Sequence, residues 1–318
     1  MLNITPYKEA VREAAKVGHS YFRNVINAAG TREHSLIKKP STVKARFITT
    51  EESITPDYLI DEGVPVMHFI VNDKLQDNGF YPCRTIATFN MIDAWCLDIG
   101  KEQLHDDASW GRGQRPAVNT SALEFMYFCN WASLQFLKNQ IFETNQHLLP
   151  LIDGEAMDND EARTYIFETA SNDEIVAMGR KVKEDYTFVM PYLIMKKGNE
   201  DWGWLNPERV TVEELGKKAL SVVLPTEDQW KLMLGDAQEQ VLEEIAWFAD
   251  NSNSMTHPVA LKKPNCYGLY DLFGNVWKMV LEKQLPLMNK TDWDKHFSGR
   301  KYLDIFASCD NSAWFKPL

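Results

Sequence analysis

The sequence predicts an α+β fold with much irregular structure, and three features indicate it. The chain has 318 residues, 44% of them hydrophobic, so it is long enough to bury a large core. Ten tryptophans are many for this length, and they favour irregular backbone anchored by large aromatic side chains. Helical and strand patterns are both present, and Gly, Asn and Asp recur between them as in turns.

The N-terminal part is predicted to contain a helix and two strands. Apolar side chains recur every three or four residues between residues 5 and 28, which is typical of an amphipathic helix. Thr42 to Thr49 and Val64 to Val71 have strand patterns, and the second is apolar enough to be buried. We interpret residues 1–75 as an N-terminal extension and residues 76–318 as the main domain.

Three helix starts are predicted in the main domain from pairs of residues at capping-box spacing. The second of these helices carries an apolar face, and the third follows Pro225 directly, with Trp230 and Leu234 predicted to point into the core. The pairs are Asn90 with Asp93, Ser121 with Glu124, and Thr226 with Gln229.

A long insert of about residues 138–220 is predicted between the second and third helices. Its acidic part, Asp153 to Ala162, contains the run Asp158 to Glu161, which lacks the spacing and the glycine of an EF-hand. We interpret this run as a solvated loop. Insertions of this length cost little loop-closure entropy and often carry binding specificity, so the insert is a candidate for specific recognition.

The most informative stretch is residues 246–280, AWFADNSNSMTHPVALKKPNCYGLYDLFGNVWKMV. Two tight turns are predicted, at Pro264–Asn265 and at Gly274–Asn275, and Gly268 permits a close backbone approach. Asp271 is expected to bond backbone amides, and Val276–Trp277 to enter the core as a strand. Such residues satisfy the buried backbone groups of an irregular fold, so they are structural first.

Four segments of the main domain follow one another along the chain. They are residues 81–100 (YPCRTIATFNMIDAWCLDIG), 115–133 (RPAVNTSALEFMYFCNWAS), 223–230 (VLPTEDQW) and 246–280. In this order they resemble the formylglycine-generating enzyme family, the sulfatase-modifying-factor variant of the C-type-lectin fold. The resemblance implies a C-type-lectin-like fold of the formylglycine-generating-enzyme type, with an N-terminal extension and a long central insert.

The activity that the resemblance implies is a copper-dependent, O2-using conversion of a substrate cysteine to formylglycine. It requires two cysteines shortly after an RGGSW strand, because soft thiolates bind Cu(I). Here Cys309 stands in the tryptophan position of that strand, and Asn311 and Lys316 stand where the thiols are expected. The sequence therefore predicts no oxidase activity; a divergent copper-dependent oxidase or another protein-modifying enzyme is the alternative.

The predicted function is a non-catalytic binding or structural module, for example a phage virion structural or attachment protein. The segment GLYD…GNVW also resembles variable proteins of phages and bacteria, which bind ligands through their C-terminal strands. That resemblance implies a protein partner or a cell-surface ligand, with homo-oligomer or particle assembly. The alternative is that the C-terminal aromatic side chains only close the core. The implied face consists of Trp293, Phe297, Tyr302, Cys309, Asn311 and Trp314.

Structural calcium is a further implication of the resemblance, because the family binds Ca²⁺ through side-chain and backbone oxygens. Asn251, Asp271 and Asn275 keep part of that ligand set, whereas Lys278 replaces a glutamate of the family. No other cofactor is predicted, since the seven histidines show no H-x3-H-x-E spacing and no nucleotide-binding motif is present.

Charge and cysteine usage limit the partners and the location. A net charge of -11 and a pI of about 5.2 argue against a nucleic-acid partner. The five cysteines form no CxxC, and most of them lie among apolar or aromatic neighbours, so they are interpreted as buried, reduced thiols. The first residues lack an apolar run and no 18-residue apolar window occurs, so neither a secretory signal nor a membrane span is expected. The expected location is the cytoplasm or a virion.

Overall fold

A computed structural model describes most of the residues between 46 and 280. The chain divides into two compact units, the first of residues 1–120 and 230–277, the second of residues 121–229 and 278–318. Each unit is described by itself. The predicted helix between residues 5 and 28 lies outside the described residues, which are 46–50, 60–61, 64–70, 72–76, 80–101, 107–120, 122–182, 186–197, 200–206, 208–209 and 218–280.

Short elements separated by irregular backbone make up the described part of the chain. The α-helices are α1 Asp73–Gln76, α2 Phe89–Asp98, α3 Ala122–Thr144, α4 Asn159–Thr164, α5 Asn172–Gly179, α6 Glu227–Leu234 and α7 Leu242–Ile245. The strands are β1 Arg46–Thr50, β2 Ile60–Asp61, β3 Val64–Ile70, β4 Tyr186–Phe188, β5 Tyr192–Lys197, β6 Glu200–Leu205 and β7 Lys218–Leu220. A π-helical turn, Tyr165–Thr169, follows α4.

A three-stranded sheet with the order β1-β3-β2 opens the described part of the first unit. β1 runs parallel to β3, with Arg46 opposite Val66, and β2 is antiparallel to β3. Both predicted strands are confirmed within the described residues. The central strand is buried, as a continuously apolar pattern predicts. Its buried side chains are Val66, Met67, His68 and Ile70.

The helix α2 begins at Phe89 with Thr88 as its N-cap, and the Thr88 side chain makes no capping hydrogen bond. The predicted capping box between Asn90 and Asp93 is therefore wrong. The physical reason is that Asp93 has a stronger partner: Arg112 donates from Nε to Oδ2 at 3.2 Å and pairs with the other carboxylate oxygen through Nη2. The guanidinium also lies 4.1 Å from the ring centre of Phe89.

The core of the first unit forms where α6, α7 and the turns after them meet the end of β3. Thr226 and Gln229 make the predicted capping box, with reciprocal hydrogen bonds of 2.9 and 3.2 Å. Trp230 packs at the edge of this core and Leu234 is buried in it, as predicted. The buried members are Ile70, Met233, Leu234, Ala237, Ile245, Ala246, Leu269 and Leu272.

The second unit is organised around the 23-residue helix α3, which extends beyond the predicted start of the insert. Its predicted N-cap, Ser121, lies outside the described residues. The C-terminal half of α3, α4, α5 and β4 share a separate hydrophobic core, so the insert region is packed structure. The buried members of that core are Leu137, Ile141, Leu149, Ala162, Ile166, Ile175, Met178 and Phe188.

The acidic run Asp158 to Glu161 is the start of α4, and the prediction of a loop there is wrong. The Asp158 carboxylate accepts hydrogen bonds of 2.9 Å from the backbone amides of Asp160 and Glu161, and the Glu161 carboxylate accepts one of 3.0 Å from Asp158 N. The acids thus satisfy the first amides of a helix, where negative charge is also favoured by the helix dipole.

Polar side chains of α3 act as backbone partners for irregular segments of the second unit. Asn130 bonds both the N–H and the C=O of Tyr192, and the Ser133 hydroxyl bonds both the N–H and the C=O of Val222. Through these four bonds, side chains of α3 satisfy backbone groups as a neighbouring strand would. None of the described helices is long and apolar enough to cross a membrane.

Candidate functional site

The turns of residues 246–280 are held by side chains that bond backbone groups. Asn265 Nδ2 donates to the carbonyls of Met233 and Leu234, at 2.7 and 3.0 Å, and so satisfies the last carbonyls of α6. Its Oδ1 accepts from the amides of Tyr267 and Leu269, at 3.1 and 3.0 Å. One buried amide side chain therefore joins the end of a helix to the following turn, and the turn predicted at Pro264–Asn265 is confirmed.

Asp271 and Asn275 form a second hydrogen-bonded group, and both have left-handed backbone, with φ of 54° and 60°. Asn275 Nδ2 donates to Asp271 Oδ1 at 3.1 Å and to the carbonyl of His257 at 2.9 Å. Asn275 Oδ1 accepts from His257 N, and Asp271 Oδ2 accepts from Ala260 N at 2.8 Å. The predicted role of Asp271 as a backbone acceptor is confirmed.

The rings of Trp247 and His257 stack, with centroids 3.8 Å apart and an angle of 17° between the rings, and the His257 backbone is bonded to Asn275. Lys262 Nζ lies 4.1 Å from the Trp247 ring and donates to the carbonyl of Glu243. The lysine is thus held on an aromatic face, where a cation is attracted by the ring quadrupole.

Gly274 is required by contact as well as by conformation. Its φ is 64°, and a Cβ at this position would lie 2.1 Å from the carbonyl oxygen of Trp247. Gly274 pairs with Trp247 in a single parallel bridge, and Asn275 N donates to Trp247 O. The predicted second turn is confirmed.

Trp277 is 62% exposed, so the prediction that Val276 and Trp277 enter the core as a strand is wrong. Only one residue of this segment pairs with Trp247, and the left-handed turn at Asn275 then redirects the chain before a strand can form. The hydrogen-bonded turns of residues 246–275 are therefore followed closely by a tryptophan that faces solvent.

The three predicted calcium ligands are only partly brought together. Asp271 and Asn275 are in contact, whereas Asn251 bonds Phe248 N and the carbonyl of Ala246 in its own turn. Each side-chain oxygen of these residues already accepts a hydrogen bond, and the described residues contain no cluster of three His, Cys, Asp or Glu side chains fit for a metal. The calcium site stays a prediction, which thermal unfolding with calcium and with a chelator tests.

The cysteines that the structure describes differ in their surroundings. Cys96 and Cys129 are buried, and burial raises the pKa of Cys129 to about 12, which makes it an inert thiol. Cys83 is half-buried. Cys266 is exposed, and its amide donates a 2.7 Å hydrogen bond to the Asp236 carboxylate.

The predicted ligand-binding residues all lie outside the described residues. They are Trp293, Phe297, Tyr302, Asn311 and Trp314, together with Cys309. Asn311 and Lys316, which stand where the resemblance places the two copper-binding thiols, also lie outside the described residues. The prediction that these thiols are missing therefore depends on the sequence alone. Neither side chain supplies the sulfur that Cu(I) favours, and the absence of the copper site stays a prediction.

Two parts of the site region were not predicted from the sequence. The buried pair of Asp93 and Arg112 joins residues that are 19 positions apart, and no local pattern marks it. The stack of Trp247 on His257 likewise needs the chain to fold back before the rings meet.

A family description fits these observations. The family model of the sulfatase-modifying factor enzyme 1-like domain matches residues 14–313. The chain belongs to this family, and the predicted α+β fold of the formylglycine-generating-enzyme type is confirmed. The proposed boundaries at residues 75 and 76 and of the insert stay predictions.

Comparison with individual proteins adds little beyond the family. No curated protein matches the chain. Among solved structures it is similar to variable protein 1 of Treponema denticola, with 23% identity and a TM-score of 0.34, over 64% of this chain and 63% of that protein. The chain therefore spans less than two thirds of the length of that protein.

Proposed function

We propose that this chain is a binding module on the sulfatase-modifying-factor scaffold and that it does not carry out the copper-dependent oxidation. The replacement of the expected thiols by Asn311 and Lys316 supports the second half of the proposal. The signature residues that the structure describes support it as well, because their polar atoms are engaged in holding turns.

The observation that carries the binding half is the exposure of Trp277. Its side chain is 62% exposed, directly after the group of Trp247, His257, Asp271 and Asn275. An exposed tryptophan on backbone that is already ordered loses little conformational entropy on binding, and tryptophan is enriched among the residues that dominate binding energy.

The partner that this proposal favours is a protein or a cell-surface ligand. The net charge of -11 disfavours nucleic acid. The face of residues 293–314, expected from the resemblance to variable proteins, remains the first place to look for the ligand, and incorporation into a virion or a homo-oligomer remains part of the proposal.

Copper binding tests the non-oxidase half. The reduced full chain is titrated with Cu(I) in competition with a chromophoric chelator, and a cysteine-containing peptide is offered with copper and O2. We expect no stoichiometric copper binding that depends on Cys309 and no formylglycine. Binding of one equivalent that is lost in Cys309→Ala, with turnover of the peptide, would establish the oxidase alternative.

Photo-crosslinking tests the binding half. A benzophenone amino acid replaces Trp277 in the full chain made in its own host, and, as a matched control, replaces Val241, which is 59% exposed in the same unit. We expect a discrete adduct from position 277 and none from position 241. Equal labelling from the two positions, or none from either, contradicts the proposal.

A further inference from the structure

A tight β-turn at the start of the acidic segment presents two apolar side chains to solvent. The backbones of Ile152 and Glu155 exchange two hydrogen bonds, each 2.9 Å long. Asp153 and Gly154 between them have φ of 51° and 87°, the left-handed conformations that a primed hairpin turn requires. The turn is therefore a formed structural unit.

Both ends of this turn are anchored in the second unit. Leu149 is buried in the hydrophobic core around α3, and Asp158 caps α4. Between these anchors, Leu151 is 64% exposed and Ile152 is 45% exposed. We name residues 151–155 the apolar tip. Single exposed apolar residues are common, but two adjacent ones on an anchored, hydrogen-bonded turn form a preorganised contact element.

The chain from the apolar tip into α4 carries charge of one sign. Residues 151–161, LIDGEAMDNDE, contain five carboxylates and no lysine or arginine. The next cation, Arg163, is directed to an aromatic face, with its guanidinium carbon 4.7 Å from the ring centre of Phe142. The sequence around the tip therefore carries no basic side chain of its own before residue 163.

We propose that the apolar tip is a docking element for a protein partner whose surface combines an apolar pocket with a rim of Lys and Arg. The apolar side chains would enter the pocket, and the carboxylates would face the basic rim. Charge complementarity selects this occupant: nucleic acid and anionic membranes carry the same sign as the tip, and a second copy would bring the same acidic segment, with the five carboxylates of residues 151–161, to it.

This inference extends the proposed binding function to a second surface, in the insert region, and does not depend on Trp277. The two can fail separately. An adduct at position 277 without one at the apolar tip supports the proposed role of Trp277 and contradicts this inference. An adduct at the apolar tip without one at position 277 supports this inference and contradicts the role of Trp277.

The experiment uses the full chain in its host with the benzophenone amino acid at position 152. The control carries it at position 193, since Leu193 is 38% exposed in the same unit. We expect a protein adduct from position 152 alone, mapped to a partner peptide in which Lys and Arg outnumber Asp and Glu. Adducts that consist of a second copy, lipid or nucleic acid overturn the proposal, as do equal yields from the two positions or no adduct.

Two variants separate docking from folding. Leu151→Ser keeps the turn residues and is expected to lower the adduct yield at least about tenfold, as for a residue at the centre of an interface. Asp153→Asn with Glu155→Gln removes two charges, and Asn tolerates the left-handed backbone of position 153. We expect this double variant to lower the yield several-fold at low salt and little at 0.5 M salt.

The folding check is that the circular dichroism spectrum of each variant is identical to that of wild type. Unchanged adduct yields in both variants overturn the proposal.

Discussion

The side chain of Asn130 pairs with the backbone of Tyr192 in both directions, with Nδ2 donating to the carbonyl at 2.9 Å and Oδ1 accepting from the amide at 3.0 Å. A helix side chain thus does here what a neighbouring strand would do in a regular sheet. The Tyr192 side chain is itself fully buried, and its hydroxyl accepts a 3.1 Å hydrogen bond from Leu224 N. Asn130 and Tyr192 therefore tie α3 to β5 and, through Leu224, to the segment before α6.

Removal of the Asn130 amide is expected to destabilise the second unit strongly. Asn130→Ala leaves both backbone groups of Tyr192 without this partner inside the protein, and each unsatisfied group costs about 1–3 kcal/mol. We expect the free energy of unfolding to fall by about 2–4 kcal/mol, which lowers the midpoint of urea unfolding. The control, Gln238→Ala at an exposed position, should change the midpoint little. A variant as stable as wild type contradicts the assigned role.

The buried pair of Asp93 and Arg112 leads to a second expectation. The two side chains are 1% and 6% exposed, so Asp93→Ala would take away the carboxylate that pairs with the buried Arg112 guanidinium. We expect a loss of about 3–5 kcal/mol in the free energy of unfolding of the first unit. The exposed pair of Arg180 and Glu208, at 3.2 Å with side chains about half exposed, is the control, and Glu208→Ala should cost less than about 1 kcal/mol. Equal losses in the two variants would show that burial does not set the energy.

His68 makes the stability of the first unit depend on pH. Burial first, and then the positive charge of Arg84, lower its pKa from 6.5 to about 4. The folded protein therefore holds a neutral His68, whereas the unfolded chain takes up a proton below pH 6.5. The stabilisation is fully present above pH 6.5 and is lost as the pH falls from 6.5 to about 4, by about 3 kcal/mol for this one group.

The measurement is the free energy of unfolding between pH 4 and pH 7 for wild type and His68→Leu. Leucine has no proton to gain, so the difference between the two proteins should shrink or reverse in favour of the variant as the pH falls. His147→Leu, at an exposed position, is the control for the change of a histidine to leucine. Parallel curves for wild type and His68→Leu would rule out His68 as the titrating group.

Much of the fold could be predicted because its signals are local. The capping box of Thr226 and Gln229, the turn at Gly274–Asn275 and the buried strand β3 each depend on residues within a few positions of one another. The pairing of Asn130 with Tyr192 spans 62 positions, and a sequence motif can mark such an asparagine without stating its partner.

The errors of prediction have physical causes of the same kind. Asp93 stood at capping-box spacing, but a distant guanidinium binds a buried carboxylate more strongly than a helix end does. Trp277 has a large apolar side chain of the kind that is usually buried, and it is exposed because the chain turns at Asn275, two residues earlier. The acidic run at Asp158 looked solvated, and it is, yet its carboxylates also cap a helix.

Replacement of Gly274 should separate steric requirement from conformational preference. Gly274→Ala places a methyl group 2.1 Å from Trp247 O at a φ of 64°, so the bridge between the two residues must open. Gly100 has a φ of 66° in the same unit, but a Cβ there meets nothing within 4 Å. Gly100→Ala should therefore lower the free energy of unfolding only by the cost of a left-handed backbone at a non-glycine residue, about 1–2 kcal/mol. Gly274→Ala should lower it clearly more and weaken the stack of Trp247 on His257.

Urea unfolding measures these free energies, and tryptophan fluorescence, with His257→Ala as reference, reports the stack. If the two alanine variants lose the same stability, close contact with Trp247 is not what requires a glycine at position 274.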